Sequence, residues 1–426
     1  MSNYSGPEPM VGTNLDHRDL LRHAARQSAQ RGFDDVFIVD ADFHHTEKRA
    51  WKEILEYVES DVLRHFLTAG GRGQMWIPGL PDGGVIQEVA ARIQPAQAWA
   101  DSHGELTGAE RDVCLAREAM DSMGLNHLSF FPGWLLDLGT FSYDLETPLA
   151  KAWARWAVDR VLSADERIVT LLPLPLGDPD AALEIVEEFG GMRGVSGYMV
   201  TSLRYDPLYD KRYAKLFRAI EEQGAALGFH ASFTTQDRPV RQLNRFISVH
   251  SINFPLFQMI QATNWVINGM PERYPDLNVI FIEGGLAWVP YLMQRLDHEY
   301  VMRVSEAPLL RRLPSEYMQD FFYTSQPLEA AHADFLELTF KMIRAETQLL
   351  YASDWPHWDW DPPRRIWDLP FLDEQAKRNI LGENARRVFR LPGTPHSASG
   401  HGANGRVESA GSRPLPVNFD TAGVRS

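Results

Sequence analysis

The stretch "TQLLYASDWPHWDWD" (347–361) sets how the rest of the chain is read. An apolar run typical of a buried strand delivers Asp354, and within the next seven residues come His357, Asp359, Asp361 and three tryptophans. Acids and an imidazole gathered straight after such a run cost free energy unless something satisfies them. Other β-rich runs lie upstream: "DVFIVDADFHH" (35–45), "LNHLSFFPG" (125–133), "RIVTLLPLPLG" (167–177), "VSGYMVTS" (195–202), "LGFHASF" (227–233), "LNVIFIEGG" (277–285) and "FFYTSQP" (321–327). Helical patterns such as "DPDAALEIVEEFGG" and "DKRYAKLFRAIEEQGAA" separate them. Alternating strands and helices predict a parallel sheet covered by helices, and eight such units favour a closed (β/α)8 TIM barrel over an open sheet.

The bulk numbers agree with one such domain. The 426 residues are 44% apolar and 23% charged, ordinary for a globular chain. A formal net charge of −15 argues against nucleic acid or an anionic membrane as partner, by simple repulsion. The single cysteine, Cys114, excludes an internal disulfide framework and any Cys-rich zinc site. No apolar run reaches membrane-spanning length and the N-terminus lacks the features of a signal peptide, so the expected compartment is the cytoplasm. Three segments are expected: an N-terminal arm and helix (1–34), the barrel (35–392) and a low-complexity, disordered tail (393–426) that carries His396 and His401 as solvated residues. Residues 51–117 are too many for a simple strand-to-helix connection, and an insertion capping the barrel mouth is expected there.

The polar residues cluster at the C-terminal ends of strands, which in a barrel face one common mouth. Asp42, His44, His45 and Glu47 end the first strand, His230 the fifth, Glu283 the sixth and Asp354 the eighth. Asp42 and His44 stand two apart, on the same face of a strand. With His230 and Asp354 they make a mixed nitrogen and oxygen ligand set suited to Zn²⁺, Mn²⁺ or Fe²⁺, with a position left for water. Taken singly, each has a plainer reading: His230 as a hydrogen-bonded structural residue, Asp354 as a helix cap, Asp42 and His44 as a surface edge. Their joint placement on strands one, five and eight favours the metal.

The arrangement resembles the amidohydrolase-related superfamily, in the branch that includes aminocarboxymuconate-semialdehyde decarboxylase and aromatic-acid decarboxylases. "IVDADFHHTE" is similar to its first-strand motif, with Asp42-x-His44 in place of the commoner His-x-His. "LGFHAS" resembles the fifth-strand histidine motif, "YPDLNVIFIEGGLAWVPYLMQRLD" the sixth-strand block and "YASDWPHWD" the closing aspartate motif. The likeness spans roughly 35–390 with the blocks in order. The sixth strand of the family often carries an acid–base histidine where this chain has Glu283. His250, in "ISVHSINFP", is a candidate to supply that imidazole from a loop, or else a helix-entry residue packed near Pro255. Glu47 and Glu283 add carboxylates that a second metal would need.

These residues lead first to a metal-dependent hydrolase acting on a small amide, ester or C–C bonded substrate. Metal-bound water would be the nucleophile, Asp354 the base, and His250 or Glu283 the acid returning the proton. Zinc is the first metal expected, with manganese or iron as alternatives and room for two. A non-oxidative decarboxylase is the reaction the resemblance implies. A dinuclear iron or iron–manganese oxygenase uses the same barrel, and a silent subunit partnering an active paralogue is a fourth reading. "GGRGQMWIPG" (70–79) lacks the spacing of a phosphate loop, and neither G-x-S-x-G nor H-E-x-x-H occurs. Trp355, Trp358 and Trp360 read as packing first and as an aromatic substrate wall second. His357 reads as a pocket residue; Asp359 and Asp361 read as holding the loop or meeting solvent. Surplus apolar residues in "AWVPYLMQRLDHEYVMRV" predict a homo-oligomer or a hetero-oligomer.

Overall fold

All eight expected strands form, and they pair in sequence order as one parallel eight-stranded sheet. In the computed structural model, which describes residues 16–69, 97–104, 106–133, 135–136, 143–204, 206–235 and 237–392, they are β1 Val39–His44, β2 His127–Phe131, β3 Ile168–Pro173, β4 Val195–Thr201, β5 Ala226–His230, β6 Asn278–Ile282, β7 Phe322–Thr324 and β8 Leu349–Leu350. β8 is short, yet backbone bonds from Ala41 N to Tyr351 O, Asp354 N to Asp42 O and His44 N to Trp355 O join the segment after it to β1. These bonds close the barrel. The N-terminal arm, the glycine-rich 70–79 and the tail with His396 and His401 lie outside the described residues.

Two apolar layers hold the barrel. Its lumen is packed by Val39, Ala41, Phe131, Leu171, Met199, Ile280 and Ile282, and the C-terminal helix Asn384–Phe389 adds Ala385, Val388 and Phe389 at one end. The outward faces, among them Phe43, Phe130, Tyr198, Phe229 and Phe281, pack against the surrounding helices. Side chains alternate across a strand, so each run that is apolar throughout feeds both layers.

Helix α1 His17–Arg31 precedes the barrel, and between β1 and β2 the described helices α2 Glu47–Glu56, α3 Asp61–Ala69, α4 Gln97–His103 and α5 Gly108–Met123 make the insertion. α5 reaches the C-terminal end of β1, where Asp112 accepts a 3.0 Å hydrogen bond from His45 Nδ1. Further along come α6 Tyr143–Trp156, α7 Pro179–Phe189, α8 Ala214–Glu222 and α9 Phe246–Ile267. The sequence reading holds for α7, which Asp178 caps by accepting from Ala181 N, with Pro179 at the first position. Among the described residues no helix is long and apolar enough to cross a membrane.

Candidate metal centre

A register shift in β1 between Asp40 and Phe43 lets Ala41 pack in the lumen while Asp42 and His44 turn to the site beyond it. Such irregularities re-aim side chains beside functional sites. Below them Asp40 accepts hydrogen bonds from Ser353 N, at 2.8 Å, and from Ser353 Oγ. That pairing fixes the segment that carries Asp354.

The structure brings Asp42, His44, His230 and Glu283 together, with ligand atoms all within 4.8 Å of one another, and His44 belongs equally to a second such group with Asp354 and His357. His44 Nδ1 bonds the Pro132 carbonyl at 2.8 Å, and His230 Nδ1 bonds the Ala231 carbonyl at 2.8 Å. A carbonyl only accepts, so each Nδ1 carries the hydrogen and each Nε2 of a neutral ring presents a lone pair. His44 Nε2 lies 3.0 Å from Asp42 Oδ1 and 3.3 Å from Asp354 Oδ1; His230 Nε2 lies 3.3 Å from Asp42 Oδ1. A lone pair and a carboxylate at these distances repel unless positive charge stands between them, either a proton on Nε2 or a cation. Asp42 Oδ2, on a side chain that is fully buried, has no hydrogen-bond partner. Both observations fit a divalent cation, and imidazoles oriented through Nδ1 by carbonyls are the usual state of metal ligands. Burial alone would raise Asp42, but the His230 and His44 rings hold its carboxyl below the usual range.

Glu283 and Asp354 have backbone φ of 61° and 59°, in the left-handed region that side chains with a Cβ rarely enter. Glu283 N is held by Thr324 Oγ1 at 2.9 Å, and Gly285 follows at φ 66°. Asp354 does not cap a helix. Its Oδ1 pairs with His357 Nδ1, which stands 3.7 Å from Glu283 Oε1. His357 is thus a member of the group, placed there by the turn after Asp354, a turn that nothing in the residue types announced.

Two expected residues are not in the group. Glu47, offered by the sequence as a bridging ligand, spends Oε1 on Gly133 N at 2.6 Å and Leu135 N at 3.0 Å. It holds the loop after β2. His250 sits in the first turns of α9 rather than in a loop, its ring 4.2 Å from that of Phe254 and 5.7 Å from that of Trp358. Its Nε2 is 3.9 Å from Asp359 Oδ2. Burial pushes His250 down to about 4 and Asp359 up to about 6. Asp361 does hold the loop, accepting from Leu328 N and from Arg365 Nε, each at 2.8 Å. Trp355 is buried and packs edge-on against Trp360 at 4.7 Å.

Comparison with known proteins agrees with this geometry. A family model described as amidohydrolase matches residues 129–391. Gamma-resorcylate decarboxylase of Rhizobium sp. (strain MTP-10005) is 24% identical over 246 residues, 54% of this chain and 72% of that one. The solved 5-carboxyvanillate decarboxylase of Sphingomonas paucimobilis superposes with a TM-score of 0.61 at 20% identity, covering 84% of this chain and all of that one. A dihydroxybenzoic acid decarboxylase of Polaromonas sp. JS666, solved with bound manganese and the inhibitor 2-nitroresorcinol, does so at 0.59 and 16%, over 84% and 97% of the two chains.

Proposed function

The chain belongs to the amidohydrolase family, and from that premise we propose that it is a metal-dependent enzyme that decarboxylates a hydroxylated aromatic acid without oxidation. The carrying observation is the grouping of Asp42, His44, His230 and Glu283, which shares His44 with a second group of Asp354 and His357, with Glu283 and His357 within reach of one another. Both curated relatives and several of the similar structures are aromatic-acid decarboxylases, while others are described as amidohydrolases; the decarboxylases favour this reaction over the hydrolysis expected first from the sequence.

Asp42, His44, His230 and Asp354 would hold the cation, with Glu283 alongside. A bound cation would supply the positive charge that anchors a substrate carboxylate and its neighbouring phenolic oxygen. The manganese of the Polaromonas enzyme makes manganese the first metal to test, ahead of zinc. The chain's own groups then handle one proton. The pair Asp354–His357, with Glu283 beside it, delivers a proton to the ring carbon that bears the carboxylate. The carbon–carbon bond breaks next, carbon dioxide leaves, and the bonding electrons restore the aromatic ring. The proton is the only group the protein transfers, so no oxidant is needed.

The test is to load the purified chain with manganese and incubate it with a panel of 2-hydroxybenzoic acids, following carbon dioxide release and loss of the ring's carboxyl by mass. Release with manganese and none after chelation supports the proposal. Hydrolysis of amide or ester analogues with no decarboxylation would overturn it.

A further inference from the structure

A second group of metal-type side chains lies away from the barrel mouth, where α1, α4 and α5 meet. His103 closes α4, and Cys114 and Glu118 stand one turn apart on α5; a ligand atom of each lies within 4.8 Å of the others. His103 Nε2 is 3.1 Å from Glu118 Oε1. His103 Nδ1 lies 2.9 Å from the Trp99 carbonyl and 3.0 Å from Ser102 Oγ; with its hydrogen on Nδ1, the neutral ring turns the Nε2 lone pair toward the carboxylate side, where a cation would sit. That is the orientation described above for the barrel histidines.

An independent observation comes from α1. His17, its first residue, is 2% exposed, and neither ring nitrogen has a hydrogen-bond partner. Its Nε2 stands 3.6 Å from Glu118 Oε2, the carboxylate oxygen on the side away from His103. Its Nδ1 stands 3.5 Å from Asp16 Oδ1, and a buried imidazole held only by such long contacts is better satisfied when its other nitrogen binds a cation. Trp99, itself buried, donates Nε1 to both Glu118 oxygens at 2.9 and 2.8 Å and stacks on His103 at 4.5 Å. The carboxylate is therefore held in place by a donor outside the group, as metal carboxylates usually are.

We propose that His103, Cys114 and Glu118, whose ligand atoms lie within 4.8 Å of one another, bind zinc, and that His17, 3.6 Å from Glu118 but outside that grouping, shifts to become the fourth ligand and so clamps the insertion helices α4 and α5 to α1. The donor set selects the ion: a thiolate and two imidazoles favour borderline-soft Zn²⁺ and disfavour magnesium or calcium. Charge also balances, because Zn²⁺ neutralises one thiolate and one carboxylate. With four protein ligands the site is closed, so its role is structural, and it is separate from the cation site of the barrel.

The chain has one cysteine, so a thiolate-to-cobalt charge-transfer band can arise from this site and from no other. Metal-stripped full-length protein titrated with Co²⁺ should show that band, with up to two cobalt ions bound per chain and one of them lost in Cys114→Ser. Cys114→Ser should abolish it while turnover at the barrel site persists. His17→Ala and His103→Ala should each weaken the binding that produces it by about tenfold or more. In the native sequence, Zn²⁺ should also protect Cys114 from alkylation by iodoacetamide, a readout that needs no variant to fold. Cobalt uptake without the band, a band indifferent to both histidine substitutions, or no protection by zinc would each overturn the proposal.

Discussion

Asp354 and Glu283 both occupy the left-handed region of φ, and a residue with a Cβ is held there only when its surroundings over-determine it, at a cost of about 1–3 kcal/mol each. What holds them is visible: Asp42 O receives Asp354 N, and Thr324 Oγ1 receives Glu283 N. Strand-end position and residue type were enough to single out Asp42, His44, His230, Glu283 and Asp354 in the sequence. His357 was not legible as a full member, because its place depends on the turn that Asp354's φ creates. Two backbone N–H groups claim Glu47 Oε1 and leave the buried Oε2 without a hydrogen-bond partner, an arrangement that the carboxylate's position in the sequence does not announce. His357→Gln should leave metal content unchanged and lower turnover about 10²–10⁴-fold, the usual contribution of a proton-transferring group, as read by kinetics and elemental analysis on the same sample. His250 and Asp359 make a matched pair of opposite sign. His250, lowered from 6.5 to about 4 by burial, contributes stability that is present above pH 6.5 and lost as pH falls through 4, up to about 3 kcal/mol. Asp359, raised from 3.8 to about 6, contributes stability that is present below pH 3.8 and lost as pH rises through 6. Between pH 4 and 6 the two nearly cancel. Urea denaturation across that range should therefore show His250→Phe losing stability as pH rises and Asp359→Asn losing it as pH falls; identical profiles would refute the pairing.

At the scale of elements, α9 does more than cover the sheet. Its buried Gln258 donates Nε2 to Phe229 O at 2.9 Å and Ile282 O at 2.8 Å, and Gln261 donates to Ser202 O at 2.9 Å. One helix thereby ties the C-terminal ends of β5 and β6 and the residue just after β4, the edge from which His230 and Glu283 project. Period and composition revealed the strands and most helices because each must bury a continuous apolar face. Polar residues that tie strand ends carry no such period, so the start of α9 read as a loop offering His250, or as a helix entry near Pro255, with no role for Gln258 or Gln261. The β1 register shift was invisible for the same reason: Asp42 and His44 two apart read as one face with or without it. Gln258→Leu should leave the buried Phe229 carbonyl short of a donor and lower stability by about 1–3 kcal/mol, measured by urea denaturation. Turnover should fall as well, since the strand ends that position Glu283 and His230 lose their tie.

For the whole molecule, a set of large apolar side chains stays at the surface on and after the helix Trp288–Met302: Tyr291 at 61%, Met302 at 75%, Val301 at 59% and Val304 at 51% exposure. That is the segment whose surplus of apolar residues predicted assembly, and a second copy of the chain is the occupant we expect. Sedimentation at micromolar concentration should give a mass above the 48.4 kDa of one chain, reduced toward it by Met302→Asp; a monomer in the native sequence would refute this. The barrel seam has a consequence of another kind. Ser353 meets Asp40 across 313 positions of chain, and the same seam unites Asp42 with Asp354. A chain still emerging from the ribosome holds its first-strand ligands long before the eighth strand exists. Such distant closures come late in folding. The barrel's candidate ligands are complete only once translation has passed the closing strand, so a chain truncated before Asp354 should hold the barrel cation more weakly than the full chain, as metal titration of the two would show.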